Sequence, residues 1–389
     1  MINIVDKVRG RLADRRRIAS ENKNLGALYS ESANLDVSRH LSEAMDWLKR
    51  AQDAGTDRGV AYGTRFGDDF EVSYPETTGY ICQTFVEQAA LTGDADLLRR
   101  AVEMGDWEIE IQMPEGAVMG GKYNRNPTPA VFNTGMVLLG WAALIRSTGE
   151  ERFRQAARRA SDWLLSVQEP DGNWIRGNSQ FANASSTLYN VKAAWGLCEV
   201  GIALGEDRFV QAAVRNAEFC VARQHANGWF PDCCLSDAKR PLLHTLAYTM
   251  QGLMGVGKLT GRKDFISAAQ KTADAEFRIM KPDGFIPGRQ TSSFGAGAKF
   301  CCLTGSAQTS IVWSWLFQLT GDEKYRRSVS TVNKYLMAHH DIENTDPRLR
   351  GGVPGSWPVW SDYGRLLILN WATKFFADAM SLQQQIGAS

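Results

Sequence analysis

The 389 residues carry a formal net charge of +1 with 22% charged side chains, so composition offers no electrostatic field for nucleic acid or a membrane surface. Hydrophobic residues make up 44% of the chain, enough for a large core. Apolar runs such as Val137–Leu139 and Leu366–Leu369 fall far short of the ~18–20 residues that a membrane span requires.

Residues 1–26 mix Lys7, Arg9, Arg11 and Arg15–Arg17 with Ile4, Val5, Val8 and Leu12 and hold no apolar stretch of the signal-peptide kind. They predict a basic helical extension over residues 1–33, solvated, with peripheral membrane contact as its alternative use. From residue 34 onward a phrase returns. Gly93, Gly149, Gly205 and Gly261 sit in short polar turns 56 residues apart, and Gly321 follows after 60. Gly116, Gly172, Gly228 and Gly284 form a second ladder with the same period of 56. A fixed period means one supersecondary unit stacked repeatedly, so residues 34–389 read as one domain.

One unit shows its parts between residues 150 and 204. Phe153, Ala156, Ala157, Ala160, Trp163, Leu164 and Val167 recur at spacings of three and four, the mark of an amphipathic helix. A Gly/Asn-rich loop follows, and from Ser185 to Leu204 apolar residues leave little polar face, as in a buried helix. Amphipathic outer helices are expected to start near Leu35, Ala95, Glu151, Asp207, Lys263 and Glu323. Buried inner helices are expected near Thr77, Asn133, Ser186, His244, Thr304 and Tyr363. An open solenoid needs polar terminal repeats, and here the first and last units are as apolar as the middle ones. The expected fold is therefore all-α, an (α/α)6 toroid of six helical hairpins. The long loops should gather at the mouths of the inner helices, and the short glycine turns should sit at the other end.

The period also locates candidate chemistry. Glu76, Phe132, Leu188 and His244 occupy one phase, at the mouths of the first four inner helices (76 + 56 = 132, 132 + 56 = 188, 188 + 56 = 244). The first and fourth helices of a six-membered ring face each other, so Glu76 and His244 are placed to act as acid and base. Along the chain, the rim adds Tyr74 and Tyr80, then Lys122, Tyr123, Asn124 and Arg125, then Asn133 and Trp174. It continues with Tyr189, Asn190, Asp232, Tyr248, Arg289 and Gln308, and ends with Trp360, Asp362, Tyr363 and Arg365. Aromatic rings beside amides and cations suit saccharide recognition, and the cations point to an anionic, uronate-containing glycan. Hydrolysis requires two carboxylates, for which Glu76 with Asp232 or Asp362 is available. β-Elimination would instead use Tyr248 or His244 as base, with Arg125 or Asn133 stabilising the enolate. Both schemes stay open at this level.

Seven cysteines, Cys82, Cys198, Cys220, Cys233, Cys234, Cys301 and Cys302, form an odd set with no secretory context, so free thiols and a cytoplasmic location are expected. Asp232, Cys234, His244, Cys301 and Cys302 are of zinc-ligand type but lack a Cys-x2-Cys pair, and no metal or other cofactor is expected.

At Gln168-x3-Gly172-x-Trp174 the chain resembles the repeat of squalene-hopene cyclases, with weaker copies at Gln112-x3-Gly116 and Gln224-x3-Gly228-Trp229. The six-hairpin plan is similar to (α/α)6 glycoside hydrolases, polysaccharide lyases and sugar epimerases. Tyr74-Pro-Glu-Thr-Thr-Gly-Tyr80, Cys302-Leu-Thr-Gly-Ser-Ala-Gln308 and Asn370-Trp-Ala-Thr-Lys-Phe-Phe-Ala-Asp378 look like a bacterial toroid family associated with polysaccharide gene clusters. These resemblances imply an enzyme that cleaves a glycosidic bond in an anionic poly- or oligosaccharide. A sugar epimerase, a terpenoid cyclase or prenyltransferase and a non-catalytic glycan-binding toroid are the alternatives. Against the cyclase stands the absence of an Asp-x-Asp-Asp acid motif, since Asp94-Ala-Asp96 falls in a turn at the far end.

Overall fold

The computed structural model describes residues 18–124, 126–235 and 237–387. In chain order its helices are α1 (described over residues 18–26), α2 (Val37–Asp53), α3 (Pro75–Thr92), α4 (Ala95–Glu110), α5 (Val131–Thr148), α6 (Glu151–Ser166) and α7 (Val191–Leu204). There follow α8 (Asp207–Val221), α9 (Leu243–Thr260), α10 (Lys263–Ile279), α11 (Leu303–Thr320), α12 (Glu323–Ala338) and α13 (Asn370–Gln385). From α2 onward the even-numbered helices are outer and the odd-numbered ones inner. Each inner helix packs on the next, and α13 packs on α3, so the ring closes. The chain is an (α/α)6 toroid.

The difference between the two rings is written in their faces. Every residue of α5 from Val131 to Ile145 is buried, whereas α6 buries Phe153, Ala156, Ala157, Ala160, Trp163 and Leu164 and leaves its polar face outside. Adjacent inner helices approach closely because small residues meet. A methyl group placed on Gly140 would collide with the Gly79 carbonyl oxygen, and one on Gly196 with that of Gly135.

The five turn glycines Gly93, Gly149, Gly205, Gly261 and Gly321 each end an inner helix in the left-handed conformation, with φ between 68° and 75°. The tight hairpins are therefore an inner helix and the outer helix that follows it. The sixth hairpin joins the two ends of the ring: α13 packs on α2, and Gln384 donates to the Ser38 hydroxyl at 2.8 Å.

The second glycine ladder fastens loops to the outer ring. A Cβ on Gly116, Gly172, Gly228 or Gly284 would strike backbone of α6, α8, α10 or α12 respectively, and Gly351 repeats the contact on α2. Beside them, Gln112, Gln168 and Gln224 each donate to a carbonyl in their own loop and to one on the next outer helix, Ala156, Ala212 and Ala268. The Gln-x3-Gly phrase is thus a clamp between outer helices.

Outer helices begin at Ala95, Glu151, Asp207, Lys263 and Glu323 as expected, and α2 begins at Val37 after the capping carboxylate of Asp36. Two inner helices start late. A 3-10 turn at Leu188–Asn190 precedes α7, so the helix opens at Val191 rather than near Ser186. Before α13, Leu366 takes φ 56° and Leu367–Leu369 pairs antiparallel with Gly63–Arg65, which delays the helix from Tyr363 to Asn370. Residues 1–17 of the expected extension lie outside the described residues, but Tyr29 is buried and donates to the Gly352 carbonyl at 2.7 Å. All seven cysteines are buried. Among the described residues no helix is long and apolar enough to cross a membrane.

Candidate active site

The long loops and inner-helix mouths enclose a bowl of about 910 Å³. Ring contacts joined by one hydrogen bond run along its wall. Tyr74 meets Tyr62 at 5.4 Å between centroids, Tyr62 meets Trp371 at 4.9 Å, and the Trp371 indole donates to the Tyr363 hydroxyl at 2.7 Å. Tyr363 meets His244 at 5.7 Å, His244 meets Tyr248 at 4.3 Å, and Phe132 lies between Tyr248 and Tyr189 at 4.8 and 5.3 Å.

Glu76 and His244 both line this bowl, from α3 and α9. Pro75 opens α3 and places Glu76 in its first turn, yet the carboxylate is not a cap; its hydrogen bond comes from the Tyr74 hydroxyl at 3.1 Å. Burial pushes the Glu76 carboxyl up to about 7, the Tyr74 hydrogen bond opposing it in part. Burial raises the phenols of Tyr62, Tyr74, Tyr80, Tyr189 and Tyr248, and the Glu76 carboxylate adds to each shift. His244 is held differently. Its Nδ1 lies 2.7 Å from Gln308 Oε1, and burial pushes the imidazole down to about 4. Near neutrality the bowl therefore holds a carboxyl poised to give or take its proton and a neutral imidazole with one bare ring nitrogen.

Of the other expected residues, Tyr74, Lys122, Tyr123, Asn124, Asn133, Tyr189, Tyr248, Arg289, Asp362 and Tyr363 also line the bowl. Lys122 pairs with Glu71 and stands over the Tyr62 ring, and Arg289 pairs with Asp362 at 3.1 Å. The Asn133 Nδ2 has no protein hydrogen-bond partner among the described residues. Arg125 lies outside the described residues.

Several expected rim residues are elsewhere. Trp174 is wholly buried and donates to the Leu164 carbonyl at 3.0 Å, so it belongs to the core beside the Gln168 clamp. Asp232 does not line the bowl; it takes φ 49° and accepts from Ser185 at 3.4 Å. Trp360 lies against Gly26, and Arg365 is exposed away from the lining. Tyr80, Asn190 and Gln308 are buried behind the wall. The zinc set is not assembled: among the described residues no three His, Cys, Asp or Glu side chains are placed to hold a metal. Burial pushes the Cys301 and Cys302 thiols up to about 11 and about 12, away from the thiolate a metal would take. Sequence reasoning missed Tyr62 and Trp371, whose rings complete the wall, and Ser179, Gln180 and Phe181, which line it from one loop.

No family model matches the chain. It is 29% identical over 171 residues to a drimenyl diphosphate synthase from Streptomyces showdoensis, a match that spans 43% of this chain and 30% of that protein. Among solved structures it resembles an unsaturated glucuronyl hydrolase specific for heparin, with TM-score 0.73, 15% identity, and 90% of this chain and 97% of that one covered. It also resembles a cellobiose 2-epimerase from Bacillus thermoamylovorans, with TM-score 0.71, 10% identity, and 90% and 98% covered. These likenesses show the fold.

Proposed function

We propose that the protein is a carbohydrate-active enzyme that cleaves a uronate-containing oligosaccharide, with Glu76 as general acid and His244 as general base. The observation that carries this reading is that Glu76 and His244 line one bowl, where burial pushes the carboxyl up to about 7 and the imidazole down to about 4. A carboxyl that titrates near neutrality can give a proton there, and an unprotonated imidazole nitrogen can take one. The aromatic wall supplies faces for sugar rings, and Asn133 and Asn124 supply amides for hydroxyls.

β-Elimination is the better-supported chemistry. His244 would remove the proton next to the uronate carboxylate, the electron pair would form the ring double bond, and the bond to the leaving oxygen would break. Glu76 would then give its proton to that oxygen. Hydrolysis by two carboxylates is less well served, because Asp232 is outside the bowl and Asp362 is tied to Arg289. The resemblance to a glucuronyl hydrolase and an epimerase supports a saccharide as substrate by analogy of scaffold.

A second reading, protonation of an isoprenoid, is favoured by the partial match to a drimenyl diphosphate synthase and by the aromatic rings around a protonated carboxyl. Against it, Asp94 caps α4 by accepting from the Asp96 backbone at 2.9 Å, at the end away from the bowl, so that pair is structural. Incubation with uronate oligosaccharides, neutral glycans and farnesyl diphosphate tests both. Unsaturated-product absorbance together with new reducing ends is expected. Reducing ends alone would mean hydrolysis, deuterium uptake from heavy water without cleavage would mean epimerisation, and a cyclised terpenoid would overturn the saccharide reading.

A further inference from the structure

Beneath the bowl a chain of hydrogen bonds leads from His244 toward the other end of the ring. His244 Nδ1 meets Gln308 Oε1 at 2.7 Å, and Gln308 Nε2 reaches Gln251 Oε1 at 3.4 Å. The Lys192 ammonium donates to the same Gln251 Oε1 at 2.6 Å. Lys192 and Gln251 line a separate cavity of about 450 Å³ at the glycine-turn end, together with Glu87, Trp195 and Asp378. The chain thus spans the axis of the toroid, its four members supplied by three inner helices: α9 gives His244 and Gln251, α11 gives Gln308, and α7 gives Lys192.

Direction follows from the chemistry of the last link. The Lys192 nitrogen donates to Gln251 Oε1, and in its charged form it has no lone pair with which to accept instead. Burial and the nearby Lys374 lower the Lys192 affinity for its proton, while Asp378 and Glu87 oppose them. Three ring faces also surround the nitrogen, Trp195 at 4.4 Å, Phe375 at 5.5 Å and Tyr248 at 5.8 Å, and these favour the charged form. A donor at that place turns the oxygen of Gln251 toward itself. The shared oxygen can then receive only the amino end of Gln308, which leaves the Gln308 oxygen facing His244. An acceptor opposite Nδ1 holds the proton there and leaves Nε2 as the bare nitrogen.

We propose that Lys192 is a positioning residue which, through Gln251 and Gln308, fixes His244 as the Nδ1–H tautomer with Nε2 free to act as base in the bowl. This rests on the reading of His244 as general base, but the tautomer is observable without any substrate, so the two can fail separately. The experiment is nitrogen-15 correlation NMR of the histidine-labelled full chain near pH 7, with the His244 signal assigned by comparison with His244→Asn. The expected result in the unmodified protein is a protonated-type Nδ1 and a bare-type Nε2; the reverse pattern overturns the proposal. Lys192→Met should release the constraint, so that both tautomers appear in comparable amounts. Adding Gln308→Glu to Lys192→Met should restore the Nδ1–H form, because a carboxylate only accepts. An unchanged tautomer in Lys192→Met also overturns the proposal. Should that variant not fold, Gln251→Leu breaks the same chain at its middle link and is read by the same criterion.

Discussion

At the scale of single residues, the bowl depends on two groups displaced from their ordinary protonation in opposite senses. Glu76→Gln and His244→Ala are each expected to lower turnover by ~100-fold or more, the usual effect of losing a general acid or base. Steady-state rates of both variants at matched folding decide this, and near-normal rates would remove the assignment. The pH profile has its own sign. The acid limb requires neutral His244 and is expected to fall below about 4, and the basic limb requires protonated Glu76 and should fall above about 7. A rate that still rises above pH 8 would contradict that role for Glu76. Stability follows the same logic at Glu276, fully buried beside Gln290 and pushed up to about 8 by burial. Its folded value exceeds the unfolded one, so stability is lost as pH rises through 8. Glu276→Gln should flatten the decline of melting temperature between pH 5 and 9. The phase arithmetic reached Glu76 and His244 because equivalent positions of a ring share a rim. It would have reached the lower cavity as well: Gln83, Trp195 and Gln251 are again spaced by multiples of 56 (83 + 112 = 195, 195 + 56 = 251) and all line it. Trp174 misled because an aromatic residue in a loop reads the same whether it faces a ligand or plugs a clamp.

At the scale of elements, the glycines separate into two physical kinds. A Cβ on Gly149 would meet nothing, so Gly149→Ala loses only the left-handed preference, about 1 kcal/mol. A Cβ on Gly172 would meet the Arg215 backbone as well, so Gly172→Ala should destabilise clearly more. Thermal or denaturant unfolding of the two variants side by side checks the order. Gln168→Ala removes the donor shared between Gly172 and Ala212 and should cost roughly 1–3 kcal/mol. Helix starts were legible wherever a cap or turn residue marks them, as at Glu151 and Asp207. They were not legible where tertiary pairing intervenes, as at Leu367–Leu369 before α13, because the partner strand is some 300 residues away.

At the scale of the whole molecule, a ring closed by its first and last helices has no privileged opening. Val37 and Gln385 belong to the same hairpin, tied by the Gln384–Ser38 hydrogen bond. A variant that joins Ser389 to Met1 by a flexible linker and opens the chain between Gly205 and Glu206 should fold, with an unaltered helical spectrum and a cooperative melt. A non-cooperative melt would mean that the order of the hairpins matters. Circular closure was foreseeable from the apolar end repeats, whereas the identity of the sealing pair was not, since a 56-residue unit can be cut at either of its turns.

The last helix also gives the bowl part of its wall through Trp371 and backs it with Phe375, which touches Tyr80, His244 and Tyr248 and lines the opposite cavity. Five hairpins without α13 would form a trough open along one side and beneath. A competent pocket thus requires α13 docked between the first and the fifth inner helices. Ligand capture would therefore serve as a natural gauge of ring closure.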